Sequence, residues 1–120
     1  MPRANNNPAS KQRRKKMLKL ASGYRGSHRK LIKTAQQSVE HSGVYAYRDR
    51  KARKREFRRL WIARINAGAR ANGLTYNRFM EGLRKASVDV DRKVLAELAV
   101  NNADAFAKLV EIAKTTLAAA

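Results

Sequence analysis

A short stretch near the middle of the chain carries positive charge on every side. Between Arg48 and Glu56 the only apolar residue is Ala52. Successive side chains of an α-helix are turned by about 100°, so the cations of this stretch point around the whole circumference. They are Arg48, Arg50, Lys51, Arg53, Lys54 and Arg55. Such a helix has no apolar face to bury against protein, which indicates a partner of opposite charge.

Charge is divided unevenly along the chain. Residues 1–60 hold 19 basic and 3 acidic side chains, whereas residues 61–120 hold 9 and 6. The formal net charge is +19, and a surplus of this size repels itself and weakens a compact fold. This favours a polyanion as the partner, with nucleic acid ahead of an anionic membrane. We predict a basic helical extension over residues 1–56 and a globular helical domain over residues 57–120.

Composition also excludes several classes of protein. The chain has no cysteine, which rules out disulfides and thiolate metal sites and favours the cytosol. No apolar run approaches the ~18 residues of a membrane span. The arginine-containing, acid-free opening is also typical of organelle transit peptides, but it merges into the basic extension without a change in composition. Both prolines, Pro2 and Pro8, lie in this opening, where we expect a flexible tip.

The pattern of the extension predicts helices separated by glycines. A short helix from Ser10 is expected to stop at Gly23, and residues 23–26, Gly-Tyr-Arg-Gly, are expected to form a turn. A second helix is predicted over residues 27–42, with Gly43 as a kink before a third helix over residues 44–71. Little apolar surface offsets the ordering entropy of this extension, so we predict partial disorder in the free protein and folding on the partner.

The carboxyl half has the spacing of a helical bundle. Phe57, Leu60, Trp61 and Ile65 form an apolar stripe, and Asn72-Gly73 is a helix stop. Three short helices are expected to follow, with Thr75, Asp91 and either Asn101 or Asn102 as caps. Their predicted core residues are Phe79, Met80, Leu83, Val94, Leu95, Leu98, Phe106, Leu109, Val110 and Ile112. No strand alternation is present, so the fold class is all-α, with a bundle near the lower size limit for independent stability.

The sequence offers little to an enzyme. His28 and His41 lie in the basic half, where only Glu40, Asp49 and Glu56 are acidic, so we predict no catalytic residue, no metal site and no cofactor. The Gly-Tyr-Arg-Gly turn lacks the Lys-Ser/Thr ending and the preceding strand of a phosphate loop.

The basic segments of the chain have features that suit nucleic-acid binding. A helix with cations on all sides suits a crevice between RNA helices, where phosphates approach from several directions. Tyrosines 24, 45 and 47 lie among the cations and suit stacking on unpaired bases, although one of the latter two could equally cover the kink. Trp61 is assigned to the core. The candidate RNA-binding residues are Lys11, Arg13, Arg14, Lys15, Lys16, Lys19, Tyr24, Arg25, Arg29, Lys30, Lys33, Tyr45, Arg48, Arg50, Lys51, Arg53, Lys54, Arg55, Arg58, Arg59, Arg64, Asn66 and Arg70.

Two other classes share part of this pattern. An architectural DNA-binding protein would have the same charge. A DNA duplex presents one groove at a time, however, so it would contact only some of the cations on a helix that is basic on all sides. A cationic membrane-surface peptide needs an apolar face that residues 48–56 lack.

Longer motifs resemble those of one family. Residues 45–50 read YAYRDR and residues 54–67 read KREFRRLWIARINA, followed by Arg70; Lys15, Lys16, the Gly-Tyr-Arg-Gly turn and residues 90–95, VDRKVL, also fit. Over nearly all of the chain beyond the first ten residues, this pattern closely resembles the bacterial large-subunit ribosomal protein L-twenty family. Two features depart from it: Asn-Asn-Ala at residues 101–103 replaces the usual Asp-Pro helix start, and the tip is rich in asparagine.

The resemblance implies a structural, non-catalytic constituent of the large ribosomal subunit in the cytoplasm. It implies direct binding of 23S ribosomal RNA, a part in early assembly of the subunit, and neighbouring ribosomal proteins as further partners. It also implies a helical extension buried in RNA and a globular helical domain. Some members of the family repress translation of their own messenger RNA, which is an additional partner to consider.

Overall fold

A computed structural model of the chain describes residues 7–119, and this part of the chain consists of helices and connecting turns without a strand. The predicted all-α class is confirmed. The helices are α1 (Asn7–Leu20), α2 (Ser27–Lys30), α3 (Ile32–Ala71), α4 (Tyr76–Lys85), α5 (Arg92–Asn101) and α6 (Ala103–Ala118). By internal contacts the chain divides into two compact units after Lys51, close to the predicted boundary, and α3 contributes to both.

Helix α3 is longer than the predicted kink at Gly43 would allow. It runs for 40 residues and continues through Gly43, so the separate helices predicted on either side of Gly43 are wrong. One glycine costs a helix only about 1 kcal/mol, which is too little to stop a helix that extends in both directions. The break lies earlier instead, at Leu31, where the extended backbone (φ −91°, ψ 123°) separates α2 from α3.

The start of α1 also differs from the prediction. The helix begins at Asn7 rather than Ser10 and includes Pro8, because a proline in the first turn needs no donor of its own. The rest of the predicted flexible tip lies outside the described residues. The predicted turn after α1 is confirmed, with Gly23 (φ 87°) and Gly26 (φ 63°) in the left-handed region that glycine adopts without strain.

The unit formed by residues 52–119 contains the hydrophobic core. Phe79 and Phe106 lie at its centre with ring centroids 5.2 Å apart. The fully buried members are Ile65, Ala69, Phe79, Leu83, Leu95, Ala96, Phe106, Val110 and Ala113. Of the ten residues predicted for this core, Val94 and Ile112 are exposed. The buried alanines carry no strong periodic signal in the sequence.

The apolar stripe of α3 is only partly used by the core. Ile65 is buried, but Phe57 and Leu60 are 49% and 42% exposed, and Trp61 packs against the core while remaining partly exposed. Along this stripe, α3 therefore contacts the core only from Trp61 onward.

Helices α4, α5 and α6 begin at predicted cap residues, but only one of these residues makes a side-chain cap hydrogen bond. Thr75 and Asp91 are the N-cap residues of α4 and α5 but make no side-chain cap hydrogen bond. Asn102, one of two candidates, caps α6 by accepting a hydrogen bond from the Ala105 backbone N–H at 3.1 Å. Gly73 (φ 83°) follows α3 as the predicted stop.

Candidate nucleic-acid interface

The cations of α3 stand in solvent with almost no acidic partners. Every predicted RNA-binding lysine and arginine is exposed. Within residues 7–119, the one ion pair that any of them makes joins Arg48 Nε to Asp49 Oδ1 at 2.8 Å. The hydrogen bond to Asp49 raises the pKa of Arg48 above its ordinary value, and arginine is charged at physiological pH in any case. The surface therefore offers many positive charges that are available to phosphates.

Two tyrosines hold cations at the surface of α3. The Arg48 guanidinium lies 4.9 Å from the centre of the Tyr45 ring, and Lys51 Nζ lies 4.3 Å from the centre of the Tyr47 ring. Tyr45 also stacks on His41, with ring centroids 6.2 Å apart. Because α3 is continuous, neither ring covers a kink. Both rings are about half exposed, and each combines an aromatic surface with a positive charge.

Tyr24 has a structural contact. Its hydroxyl lies 2.6 Å from Ser42 Oγ, which itself donates a hydrogen bond to the Ser38 carbonyl. Tyr24 therefore links the Gly23–Gly26 turn to α3. Among residues 7–51, the buried hydrophobic residues are Ala21, just before this turn, and Ala35 in α3.

The predicted polar set at the end of α3 is partly brought together. Arg70 Nε donates a hydrogen bond to Asn66 Oδ1 at 3.3 Å, one helical turn earlier. Arg64 is exposed and lines a concavity of about 380 Å³ between α3 and α5, together with Trp61, Lys93 and Glu97. The basic surface of α3 thus extends onto the bundle.

A groove that the sequence did not single out lies beside this surface. It has a volume of about 650 Å³ and is lined by Arg53, Lys54, Phe57, Arg58, Trp61 and Lys93. The rings of Phe57 and Trp61 lie 6.3 Å apart, tilted by 39°. The i, i+4 spacing of two aromatic residues among arginines was a signal for this groove, but the same spacing also fits a buried stripe. Lys93 comes from α5 and had no signal linking it to α3.

The two histidines have local partners. His28 Nδ1 lies 2.7 Å from Ser38 Oγ, and His41 stacks on Tyr45. In the described part of the chain no group of three His, Cys, Asp or Glu side chains is placed to hold a metal ion, and no helix there is long and apolar enough to cross a membrane.

Comparison with known proteins agrees with this architecture. The family model described as Ribosomal protein L20 matches residues 3–109. The large ribosomal subunit proteins bL20 of Pelotomaculum thermopropionicum and Carboxydothermus hydrogenoformans are each 62% identical over 117 residues, which cover 98% of this chain and 100% of theirs. That of Levilactobacillus brevis is 60% identical over 119 residues, 99% of this chain and 100% of its own.

These matches extend through both the basic extension and the bundle, and they confirm the resemblance carried by the tyrosine-arginine and Arg-Arg-Leu-Trp motifs. Family membership also accounts for a chain with a large cationic surface and few candidate catalytic groups, since ribosomal proteins of this kind are structural, non-enzymatic constituents of the ribosome. The chain belongs to the ribosomal protein L20 family.

Proposed function

We propose that this protein binds 23S ribosomal RNA directly through α3 and supports early assembly of the large ribosomal subunit. As a member of its family it is a structural constituent of that subunit, located with the ribosome in the cytoplasm, and it acts without catalysis. The observation that carries the proposal is the row of exposed cations over residues 48–59, with Asp49 as their one ion-pair partner among the described residues.

The charge of α3 determines the kind of binding expected. Each cation that contacts a phosphate displaces condensed counterions, so affinity falls as salt rises, with a slope of about −0.7 per contact on single strands and −0.9 on duplexes. Once ordered on the RNA, a helix with cations on all sides neutralises phosphates that face it from several RNA helices. In the absence of such a helix, those phosphates would repel one another as the RNA compacts.

Single charge reversals test the proposal. Each of Arg50→Glu, Arg53→Glu and Arg58→Glu is expected to weaken binding to 23S RNA fragments and to reduce the salt slope by about 1 or more. The matched control is Lys108→Glu, which makes the same change of charge at an exposed position of α6. Arg92 is a poorer control because its Nε donates a hydrogen bond to Tyr76 Oη at 3.1 Å.

The same variants test assembly in cells depleted of the natural protein. Sucrose gradients at moderate and high salt should show stalled large-subunit particles with the α3 variants and complete subunits with Lys108→Glu. Equal behaviour of all four variants would contradict the proposal.

Competition separates RNA from the architectural DNA alternative. At fixed salt, structured 23S fragments should displace duplex DNA from the protein, and preference for the duplex would overturn the assignment. The messenger RNA that encodes the protein is included as a second RNA, because the basic surface that fits 23S RNA fits any RNA presenting the same arrangement of phosphates.

A further inference from the structure

We propose that the groove between Phe57 and Trp61 holds one unpaired RNA nucleotide, with its base against the aromatic rings and its phosphate among the surrounding cations. This inference rests on the proposed RNA binding and specifies what one site on the bundle recognises. The groove lies within the unit of residues 52–119 and is lined by side chains of α3 and α5.

The floor of the groove is aromatic and open to solvent. Phe57 lies one helical turn before the first residue of α3 that packs against the core, and it is 49% exposed. Trp61 packs against the core through part of its ring and lines the groove. A ring held in this way is a preorganised surface, because its rotamer is already restricted before a ligand arrives. Aromatic side chains of this kind are the platforms on which single-stranded bases stack.

Four of the six residues that line the groove are cationic. Arg53, Lys54 and Arg58 come from α3 and Lys93 comes from α5. Within residues 7–119 none of these four side chains makes an ion pair, and no carboxylate lines the groove. The acidic side chains Glu97 and Glu56 line two other concavities, which share Trp61 and Phe57 respectively with this groove. Four cations around an aromatic floor are complementary to a ligand that is both aromatic and anionic.

A nucleotide is both aromatic and anionic, and an unpaired nucleotide can expose its base and its phosphate to the protein. Bases inside a duplex are stacked on both faces, so only a bulged or looped base can lie flat on protein. The groove volume of about 650 Å³ lies within the roughly 300–1,000 Å³ range of small-ligand sites. An acidic peptide would satisfy the cations but would leave the aromatic rings without a flat partner.

The chain supplies its own probe for the test, since Trp61 is its one tryptophan. The full-length protein is titrated with an RNA hairpin that carries a single bulged adenosine, while tryptophan fluorescence is followed. Two matched hairpins serve as controls: one with a fully paired stem, and one in which the bulged nucleotide is abasic and so keeps its phosphate but lacks the base. The bulged adenosine is expected to quench the fluorescence of Trp61 and to bind most tightly.

Two variants separate stacking from a general apolar contact. Phe57→Leu keeps an apolar side chain but removes the ring, and it should weaken binding of the bulged hairpin by about tenfold while leaving the paired hairpin unchanged. Phe57→Tyr keeps the ring and should bind like the natural chain. Ile112→Ala, on an exposed side of α6 outside the groove, is the control for loss of an apolar side chain.

The outcomes distinguish this inference from the function on which it rests. If the natural chain binds none of the hairpins, the proposed RNA binding fails. If it binds the bulged, abasic and paired hairpins equally, with no difference in Trp61 fluorescence and no effect of Phe57→Leu, RNA binding stands and the nucleotide site is wrong.

Discussion

The two units of the chain use side chains in opposite ways. In residues 52–119 a cluster of buried apolar residues surrounds Phe79 and Phe106. In the described part of the first unit, residues 7–51, the buried hydrophobic residues are Ala21 and Ala35. The bundle is therefore held together by burial that its own sequence supplies. The basic helices gain little from burial, so we predict that their order depends on local hydrogen bonds and on a partner that neutralises their charge.

Among the changes that test this difference between the two units, removal of one aromatic ring from the core should have the largest effect. Phe106→Ala eliminates the contact with Phe79, whose ring centroid is 5.2 Å away, and should cost about 3–5 kcal/mol. This is most of the stability of so small a domain, so the thermal transition of the bundle should disappear or fall far. Weak, salt-dependent RNA binding by α3 should survive, because the cations do not depend on the core. Ile112→Ala, exposed on the same helix, is the control and should melt like the natural chain.

Hydrogen exchange should distinguish the core of the bundle from the basic part of α3 in the unmodified protein. Backbone amides near Ile65, Leu95 and Val110 are expected to open only with the whole bundle, whereas amides of residues 44–56 should exchange with little protection. Added 23S RNA fragments should slow exchange in residues 44–56 and increase helical circular dichroism. Equal protection of the bundle core and of residues 44–56 in the free protein, with no response to RNA, would mean that α3 is stable without a partner.

Alanine substitutions at two glycines, one in the bundle and one in α3, compare how closely the backbone is packed in the two units. A Cβ at Gly82 would lie 2.7 Å from Ala113 Cβ and from its carbonyl oxygen, where α4 crosses α6. Gly82→Ala should therefore push these helices apart and lower bundle stability by about 1–3 kcal/mol. A Cβ at Gly43 would meet nothing within 4 Å, so Gly43→Ala should favour α3 by roughly 0.5–1 kcal/mol. Chemical denaturation and far-ultraviolet circular dichroism measure both effects, and equal effects at the two glycines would contradict the contrast.

The sequence predicted the parts of this molecule that depend on strong local patterns. The basic stretch, the glycine turn and the stop at Gly73 are visible as composition or spacing, and so are the large core side chains. The structure differs from the prediction where a contact between residues far apart in the sequence determines the surroundings of a residue. Gly43 and Gly82 look alike in the sequence, but one lies in open helix and the other against Ala113.

The candidate site shows the same limit. The row of exposed cations followed from charge alone, whereas the groove required knowing where α3 stops contacting the core. Phe57 and Ile65 belong to one periodic stripe, yet only Ile65 is buried. Lys93 joins the groove from another helix, and helical spacing within α3 carries no information about it.

The smallest expected effect concerns the charges of the bundle. Glu81 lies between Lys85 Nζ and Arg78 Nη1, each 3.3 Å from one of its oxygens, and hydrogen bonds from Lys85 and then Arg78 lower the pKa of Glu81 below its ordinary value. A carboxyl with a lowered pKa in the folded state stabilises the fold above its unfolded pKa, and the contribution is lost as pH falls through the folded pKa. Glu81→Gln should therefore slightly reduce bundle stability at neutral pH and make no difference in strong acid, while Glu111→Gln, exposed on α6, serves as the control. Salt should act with opposite signs on the bundle and on the basic part of α3: it screens the exposed pairs of Glu81, but it also screens the repulsion among the cations of residues 48–59 and so increases their helicity. If salt weakened both parts equally, the basic part of α3 would be held by ion pairs, contrary to the single Arg48–Asp49 pair among the described residues of α3.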